Sequence, residues 1–291
     1  MSSEKKIIKP SFFVVGAQKA GTTTFYEIFK NHPEVYLPQK KETRFFSHHY
    51  NKGLSWYLNN FFTVNISNTF SISGETDPGY MDNSEIPEKI HSLLGQDIKI
   101  IMLVRQPVKR AYSAYNMYKK FNQNTFKEWT KYNFSDHLEK EFKGEIESNY
   151  IKWSKYHQSY SNYKEIFGSE NVKLIIFEDF ISDKKNKIIN DICSFLNIST
   201  DFNFDTDQHA NKGNLPRHSV LNFIYGSNFF VKTIRSYINS HQNIKVFVKK
   251  IFTKPVNRLS KDDIDNYTNK YFEEDILNLE KELGHKITKW K

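Results

Sequence analysis

An apolar run followed by a short loop of small residues constrains this chain more than any other feature. Residues Phe12–Val15 are consecutive apolar residues, which predict a buried parallel strand. A loop over Gly16–Gly21 contains Lys19, and Thr22–Thr24 open a predicted helix that continues over 25–31. Such a loop and helix N-terminus make an anion site, because backbone N–H groups and the helix dipole face the ligand. Lys19 adds a full charge to it, and the threonines add hydroxyl donors.

The loop differs from the phosphate loop of nucleoside triphosphatases. That motif places its lysine directly after the last glycine, whereas Lys19 precedes Gly21 by two residues. The lysine therefore approaches an anion from a different point on the loop. The alternative interpretation is an ordinary strand–loop–helix turn that carries a surface lysine.

Composition limits the class of protein. The chain has 291 residues, enough for one large α/β domain with its own core, so we expect a single domain over residues 1–291. The net charge of +9 favours polyanionic partners, although the excess charge could also be spread over solvated faces. The single cysteine, Cys193, excludes an internal disulfide and a cysteine-based metal cluster.

Neither a membrane span nor a nucleic-acid module is expected from the sequence. No apolar run is long enough to cross a bilayer, and the N-terminus lacks the apolar stretch of a signal peptide. We therefore expect a cytoplasmic protein. We find neither a basic stripe on one helix nor a known nucleic-acid-binding motif. The oligomeric state is not readable from the sequence.

Further apolar runs over 98–104 and 172–177 predict two more strands of the same sheet. Strands separated by helices indicate a parallel sheet with right-handed crossovers, whose ligands bind at the carboxyl ends of the strands. We interpret 122–149 as an insertion that could cover a substrate. A short strand is expected over 71–75 and a long loop over 201–219. Helices are predicted over 53–62, 86–94, 108–120, 151–167, 185–196 and 220–252, with a terminal helix pair over 259–283.

Arg105 follows the second strong strand and should lie on the same sheet edge as Lys19. Arginine binds phosphate in a bidentate manner, and Ser113, about two helical turns on, could donate a hydroxyl. These two residues predict a second anion site, unless Arg105 simply pairs with a carboxylate. A triphosphatase would instead place a magnesium-binding acid at a strand end. Glu178–Asp179, after the third strand, could still serve but is a weak candidate.

Two anion sites on one sheet edge resemble the donor site of sulfotransferases that use 3′-phosphoadenosine 5′-phosphosulfate (PAPS). Gln18–Thr23 resembles the 5′-phosphosulfate loop of that family, and Arg105 with Ser113 matches its 3′-phosphate motif. Lys41–Phe46 is similar to the heparan sulfate branch, and Lys212–Gly213 resembles the late loop that closes on the 3′-phosphate.

The resemblance implies a fold, a reaction and roles for particular residues. The fold would be a three-layer α/β sandwich with a central parallel sheet, like that of P-loop proteins. The reaction would move a sulfuryl group from PAPS, without a metal, to a hydroxyl or amine of a glycan, glycolipid or small metabolite. Glu42 would be the general base and Lys19 would stabilise the leaving phosphate. The donor-binding residues would be Gln18, Lys19, Ala20, Gly21, Thr22, Thr23, Thr24, Arg105, Ser113, Lys212 and Gly213.

Other interpretations of these residues stay open at this point. Glu42 could instead be a surface carboxylate paired with Lys41 or Arg44, and His48 and His49 are rival bases. The chain departs from related glycan sulfotransferases at Thr76, where a lysine is common, which leaves the acceptor undetermined. The alternative functions are a metal-dependent P-loop kinase or triphosphatase and a non-catalytic module that binds polyanions.

Overall fold

A computed structural model describes residues 4–121, 128–202, 204, 214–216, 253–255 and 258–290. Its strands are, in chain order, β1 (Lys5–Ile7), β2 (Phe12–Gly16), β3 (Val35–Tyr36), β4 (Thr63–Asn65), β5 (Ile72–Thr76), β6 (Lys99–Val104), β7 (Val172–Ile176), β8 (Asn214–Pro216) and β9 (Thr253–Pro255). Five of them form a parallel sheet in the order β3–β5–β2–β6–β7. The predicted central parallel sheet is therefore confirmed.

Helices flank this sheet and give the predicted α/β fold. Over the described residues the helices of the chain are α1 (Thr22–Phe29), α2 (Gly53–Phe61), α3 (Ile86–Leu94), α4 (Pro107–Phe121), α5 (Phe134–Phe142), α6 (His157–Phe167), α7 (Phe177–Phe180), α8 (Lys185–Phe195), α9 (Lys261–Tyr271) and α10 (Glu273–Leu283). The last two are the predicted terminal helix pair.

The sheet has an apolar centre because strands covered on both faces need continuous apolar runs. Every residue of β2 is buried, as is every residue of β6 except Lys99. Gly74 of β5 lies so close to Phe12 that a Cβ there would be 2.4 Å from the ring. The central strands therefore pack without room for a side chain at Gly74.

One predicted helix boundary is wrong. A helix was expected over 151–167, but Lys152–Ser154 is a 3₁₀ turn and α6 begins at His157. The Asp275 carboxylate of α10 accepts hydrogen bonds from the backbone N–H groups of Tyr156 at 2.7 Å and His157 at 3.3 Å. This cap fixes the start of α6 from a helix more than a hundred residues away, which no local pattern reveals.

Two compact units make up the chain, and the single domain expected over 1–291 stays a prediction. The first comprises Met1–Ala111, Ile151–Ala210 and Asp265–Lys291 and contains the parallel sheet. The second comprises Tyr112–Tyr150 and Asn211–Ile264. Two of the divisions between the units, at 111/112 and 264/265, fall within α4 and α9.

The second unit contains a helix that the sequence interpretation missed. Within the supposed insertion over 122–149, α5 begins after Asn133, whose side chain accepts a hydrogen bond from the Asp136 N–H. Phe134, the first residue of this helix, packs its ring against those of Tyr115 and Tyr150, which also contact each other. In the supposed loop over 201–219, β8 pairs with β9 in antiparallel fashion. The helix predicted over 220–252 lies outside the described residues.

Candidate functional site

The loop after β2 ends in a glycine that the structure requires. Gly21 has φ +97° and precedes the first residue of α1. A Cβ at this position would lie 2.7 Å from the Phe177 ring, and left-handed backbone is costly for other residues. The first turn of α1 has neither an acidic residue nor a side-chain cap. Its positive dipole end is therefore suited to an anion, as the sequence predicts.

Two arginines hold this loop through its carbonyl groups. Arg105 Nη1 donates to the Lys19 carbonyl at 3.2 Å. Arg110, which is fully buried, donates from Nε to the Gln18 carbonyl at 3.0 Å and from Nη1 to Ser154 Oγ at 3.4 Å. Arg105 and Lys19 therefore lie on one sheet edge, as predicted. The role of Arg110 was missed, although a charged residue on the apolar face of α4 is a signal for it.

One donor group of Arg105 has no partner within the protein. Its Nε is buried and has no hydrogen-bond partner, and its guanidinium stacks 5.0 Å from the centre of the Phe177 ring. Burial lowers the pKa of Arg105, while Glu178 and Tyr156 act to raise it. A buried donor without a partner costs free energy, so an oxyanion here would stabilise the protein. The residues present fit a phosphate group at this edge.

The other residues predicted to bind the donor lie in different parts of the chain. Ser113 lies on α4, half-buried and within the second unit. Lys212 and Gly213 lie outside the described residues. Thr22 and Thr24 are buried in the first turns of α1, and Thr23 between them is half-buried.

Lys41 links the anion loop to the candidate base. Its Nζ lies 3.5 Å from Thr22 Oγ1 and 3.0 Å from Glu42 Oε1. The Glu42 side chain is 40% exposed, so a substrate can reach it. The pairing with Lys41, considered as the alternative to a catalytic role, is therefore present and also places Glu42 beside the N-terminus of α1. No role was assigned to Lys41 from the sequence.

A buried carboxylate lies behind this segment, at the end of β5. Glu75 is fully buried and accepts hydrogen bonds from Thr43 N–H at 3.1 Å, from Tyr80 Oη at 3.1 Å, and from Thr43 Oγ1 and Tyr57 Oη. Burial, and then the neighbouring Asp77, raise the pKa of Glu75 to about 7. Four donors on one carboxylate make a rigid centre under the Lys41–Glu42 segment.

Asp77 is the second carboxylate of this group and is only 3% exposed. It accepts hydrogen bonds from the backbone N–H of Arg44 at 3.1 Å and of Gly79 at 3.0 Å. Burial raises the pKa of Asp77 to about 6, and the charge of Glu42 acts in the same direction. No role was assigned to Asp77 from the sequence, because its contact with Arg44 is long-range.

The rival bases lie in a π-helical turn over Phe45–His49. His48 is exposed and its Nδ1 is 2.8 Å from Ser47 Oγ, whereas His49 packs edge-on against Trp56. Desolvation lowers the pKa of His49, and nearby cations, Lys52 first among them, add to this. These cations make His49 a weaker proton acceptor than an unperturbed imidazole.

Glu178, one of the two acids considered as magnesium ligands, makes hydrogen bonds within the fold. Glu178 accepts from the Gln106 N–H and from Trp290 Nε1, both at 3.1 Å. Over the residues that the structure describes, no group of three or more acidic, histidine or cysteine side chains could hold a metal ion. Over the same residues, no helix is both long enough and apolar enough to cross a bilayer.

Comparison with known proteins points to one family. The family model of the sulfotransferase domain matches residues 9–269. A membrane-associated sulfotransferase of Dictyostelium discoideum is 28% identical over 162 residues, 56% of this chain and 34% of that protein. A bifunctional heparan sulfate N-deacetylase/N-sulfotransferase of Drosophila melanogaster is 24% identical over 297 residues, 89% of this chain and 28% of that protein. The chain thus spans about a third or less of these relatives.

A solved structure has the same fold over almost the whole chain. The crystal structure of a sulfotransferase from Alicyclobacillus acidocaldarius superposes with a TM-score of 0.67 at 23% identity. The match covers 98% of this chain and 99% of that one. At this identity the likeness concerns the fold.

Proposed function

This chain belongs to the sulfotransferase domain family, and from that premise we propose that it transfers a sulfuryl group from PAPS to a hydroxyl or amine. One observation supports this most directly. Lys41 Nζ contacts both Thr22 Oγ1, at the start of α1, and Glu42 Oε1. A candidate base therefore lies next to a candidate anion site, which is what transfer from an anionic donor needs.

The anion loop and Arg105 are proposed to bind the donor. Backbone N–H groups over 21–24 and the threonine hydroxyls would hold its 5′-phosphate end. The unpartnered Arg105 Nε, with Ser113, Lys212 and Gly213, would bind the 3′-phosphate, the group that distinguishes PAPS from ATP. Gln18 and Ala20 complete the loop. Because Arg105 also holds the Lys19 carbonyl, both phosphate positions depend on it.

In the proposed reaction, Glu42 and Lys19 act on opposite ends of the transferred group. When bound, PAPS supplies a sulfuryl group whose bond to the 5′-phosphate oxygen breaks as the acceptor oxygen or nitrogen attacks sulfur. Glu42 accepts the proton of the attacking group, and general bases typically contribute about 10²–10⁴-fold. Lys19 stabilises the negative charge that develops on the leaving phosphate, a preorganised electrostatic effect.

A glycan is the acceptor class that we propose first. The name of the Drosophila relative includes heparan sulfate N-sulfotransferase, and that relative aligns with 89% of this chain. Trp56 is half-buried within the segment that follows Glu42, and Lys52 lies 4.3 Å from its ring centre. An indole beside cations suits the face of an acidic sugar. Glycolipids and small hydroxylated metabolites stay as further acceptors, and the cytoplasmic location stays a prediction from the sequence.

Donor recognition is the first test. We expect isothermal titration without magnesium to show that the product 3′-phosphoadenosine 5′-phosphate (PAP) binds more tightly than ADP. Arg105→Ala should abolish that selectivity, because it removes the unpartnered donor and the contact to the Lys19 carbonyl. Lys109→Ala, which removes a cation from the same segment without touching the loop, is the matched control.

Equal or absent binding of PAP and ADP would overturn the proposal. Magnesium-dependent binding of ADP alone would favour a P-loop kinase or triphosphatase. Heparin binding that survives Lys19→Ala, without turnover, would favour a polyanion-binding module. Transfer of label from radioactive PAPS to a panel of glycans, glycolipids and phenols then identifies the acceptor.

A further inference from the structure

We propose that Asp77, together with Glu75, is a positioning residue that holds Glu42 in place by binding the two backbone N–H groups that follow it. This inference rests on the proposed function, because it concerns the geometry of the candidate base. It adds to that function a role for Asp77, which lies outside the predicted donor-binding motifs of the sequence.

The contacts are consecutive along the chain. Glu75 Oε1 accepts the Thr43 N–H at 3.1 Å, and Asp77 Oδ2 accepts the Arg44 N–H at 3.1 Å. Two adjacent peptide groups directly after Glu42 are thus bound to two carboxylates at the end of β5. When such a carboxylate is ionised, its hydrogen bonds are charge-assisted and about twice as strong as neutral ones.

The segment needs such support because of its backbone. Arg44 has φ +58°, in the left-handed region that non-glycine residues seldom adopt. The π-helical turn over Phe45–His49 begins directly after it. The hydrogen bond to Asp77 holds Arg44 in this conformation. Because Glu42 lies two residues earlier, the same contact fixes the backbone from which the Glu42 side chain projects.

The two carboxylates are themselves fixed. Tyr57 and Tyr80 donate hydroxyl groups to Glu75, and the Gly79 N–H holds the other oxygen of Asp77. Both carboxylates are almost fully buried, whereas the Glu42 side chain is 40% exposed. Lys41 contacts the Glu42 carboxylate, while Asp77 and Glu75 hold the backbone that carries it.

Amide hydrogen exchange, measured residue by residue on the isotope-labelled full chain, tests the contact without an acceptor. We expect Asp77→Asn to accelerate exchange at Arg44 by at least about tenfold, because one acceptor oxygen becomes an amide NH₂. Exchange at the buried strand residue Ile101 should not change. Asp97→Asn, at an exposed site, is the matched control. Unchanged exchange at Arg44, or equal acceleration at Ile101, would overturn the inference.

A double-mutant cycle tests the consequence for the reaction, with radioactive PAPS and the acceptor found in the transfer screen. Asp77→Asn should lower kcat by about 10- to 100-fold, since small misplacements of a catalytic group cost about that much. KM for PAPS and the affinity for PAP should stay within about twofold. In a Glu42→Gln background, Asp77→Asn should lower kcat no further, because it acts through Glu42.

The possible results separate the two claims. Equal losses in both backgrounds, or a loss in PAP affinity, would mean that Asp77 does not act through Glu42 and would overturn the inference alone. Wild-type kcat in Glu42→Gln would instead remove Glu42 as the base, and both claims about the base would fall. In that case the donor assignment would still depend on the titration with PAP.

Discussion

At the scale of single residues, Gly21 combines left-handed backbone with a close approach to the Phe177 ring. Replacement by alanine should destabilise the protein in two ways. Left-handed backbone costs about 1–2 kcal/mol, and the contact with Phe177 adds about 1–3 kcal/mol of overpacking. Because the residue precedes the anion loop's helix, PAP affinity should fall by at least about tenfold. Thermal unfolding and titration with PAP measure the two effects.

Gly284 offers a matched control for this substitution. Its φ of +75° and ψ of 9° lie in the same left-handed region as those of Gly21, but a Cβ added there would meet no other atom within 4 Å. Gly284→Ala should therefore show the backbone cost alone and leave PAP affinity unchanged. Equal destabilisation by both substitutions would show that Phe177 yields to the new methyl group.

The sequence identifies some site residues much better than others. Lys19 and Arg105 follow apolar strands, so the topology of a parallel sheet is enough to place them on one edge. Arg110, Lys41 and Asp77 acquire their importance from partners distant in sequence, such as Gln18, Thr22 and Arg44 respectively. No local pattern contains these pairings. The sequence is therefore enough to find the residues proposed to bind the donor, whereas the structure is needed to find the residues that hold them in place.

At the scale of elements, a negative charge at the N-terminus of α1 should raise the stability of the free protein and lower its affinity for PAP. Thr23→Asp places a negative charge in a first turn that has none, which should stabilise the free protein by about 0.3–1 kcal/mol. The same charge repels a bound phosphate, so PAP affinity should fall more than tenfold. Chemical denaturation and titration measure the two quantities on one variant.

Thr23→Asn is the uncharged control for that experiment. It keeps a polar side chain of similar size but loses the hydroxyl, so stability should change little and PAP affinity should fall less than in Thr23→Asp. A fall in PAP affinity equal to that of Thr23→Asp would assign the effect to the lost hydroxyl. An unchanged affinity in Thr23→Asp would mean that the anion does not lie at this helix end.

Elements with a strong apolar pattern were predicted well, and those fixed by capping were not. The strands β2, β6 and β7 are the predicted apolar runs, β2 and β6 are buried almost throughout, and α3 has the predicted bounds. The predicted start of α6 was wrong because Asp275, on α10, caps the N-terminus of that helix. The missed α5 did carry a signal, since asparagine at 133 followed by an acid three residues later is typical of a helix N-terminus.

At the scale of the whole molecule, buried carboxyl groups couple stability to pH. The pKa of Glu75 is about 7 in the folded chain against an ordinary 4.5, mainly because of burial. A folded-state pKa that is raised means that the native state binds the proton more tightly than the unfolded chain. The stabilisation is complete below about pH 4.5 and is lost as the pH rises through about 7. Asp77, with a pKa of about 6, acts in the same direction.

Glu75→Gln should remove most of this dependence, because glutamine resembles the protonated carboxyl group in shape and cannot ionise. Its carbonyl oxygen still accepts the Thr43 N–H, and a tyrosine hydroxyl can accept from its amide. Between about pH 5 and pH 8, the stability of the wild type relative to Glu75→Gln should therefore fall by about 3 kcal/mol. Urea denaturation at each pH measures the difference, with Glu165→Gln at an exposed position as the control. A constant difference across this range would mean that Glu75 stays ionised in the folded chain, stabilised by its four hydrogen-bond donors against the cost of burial.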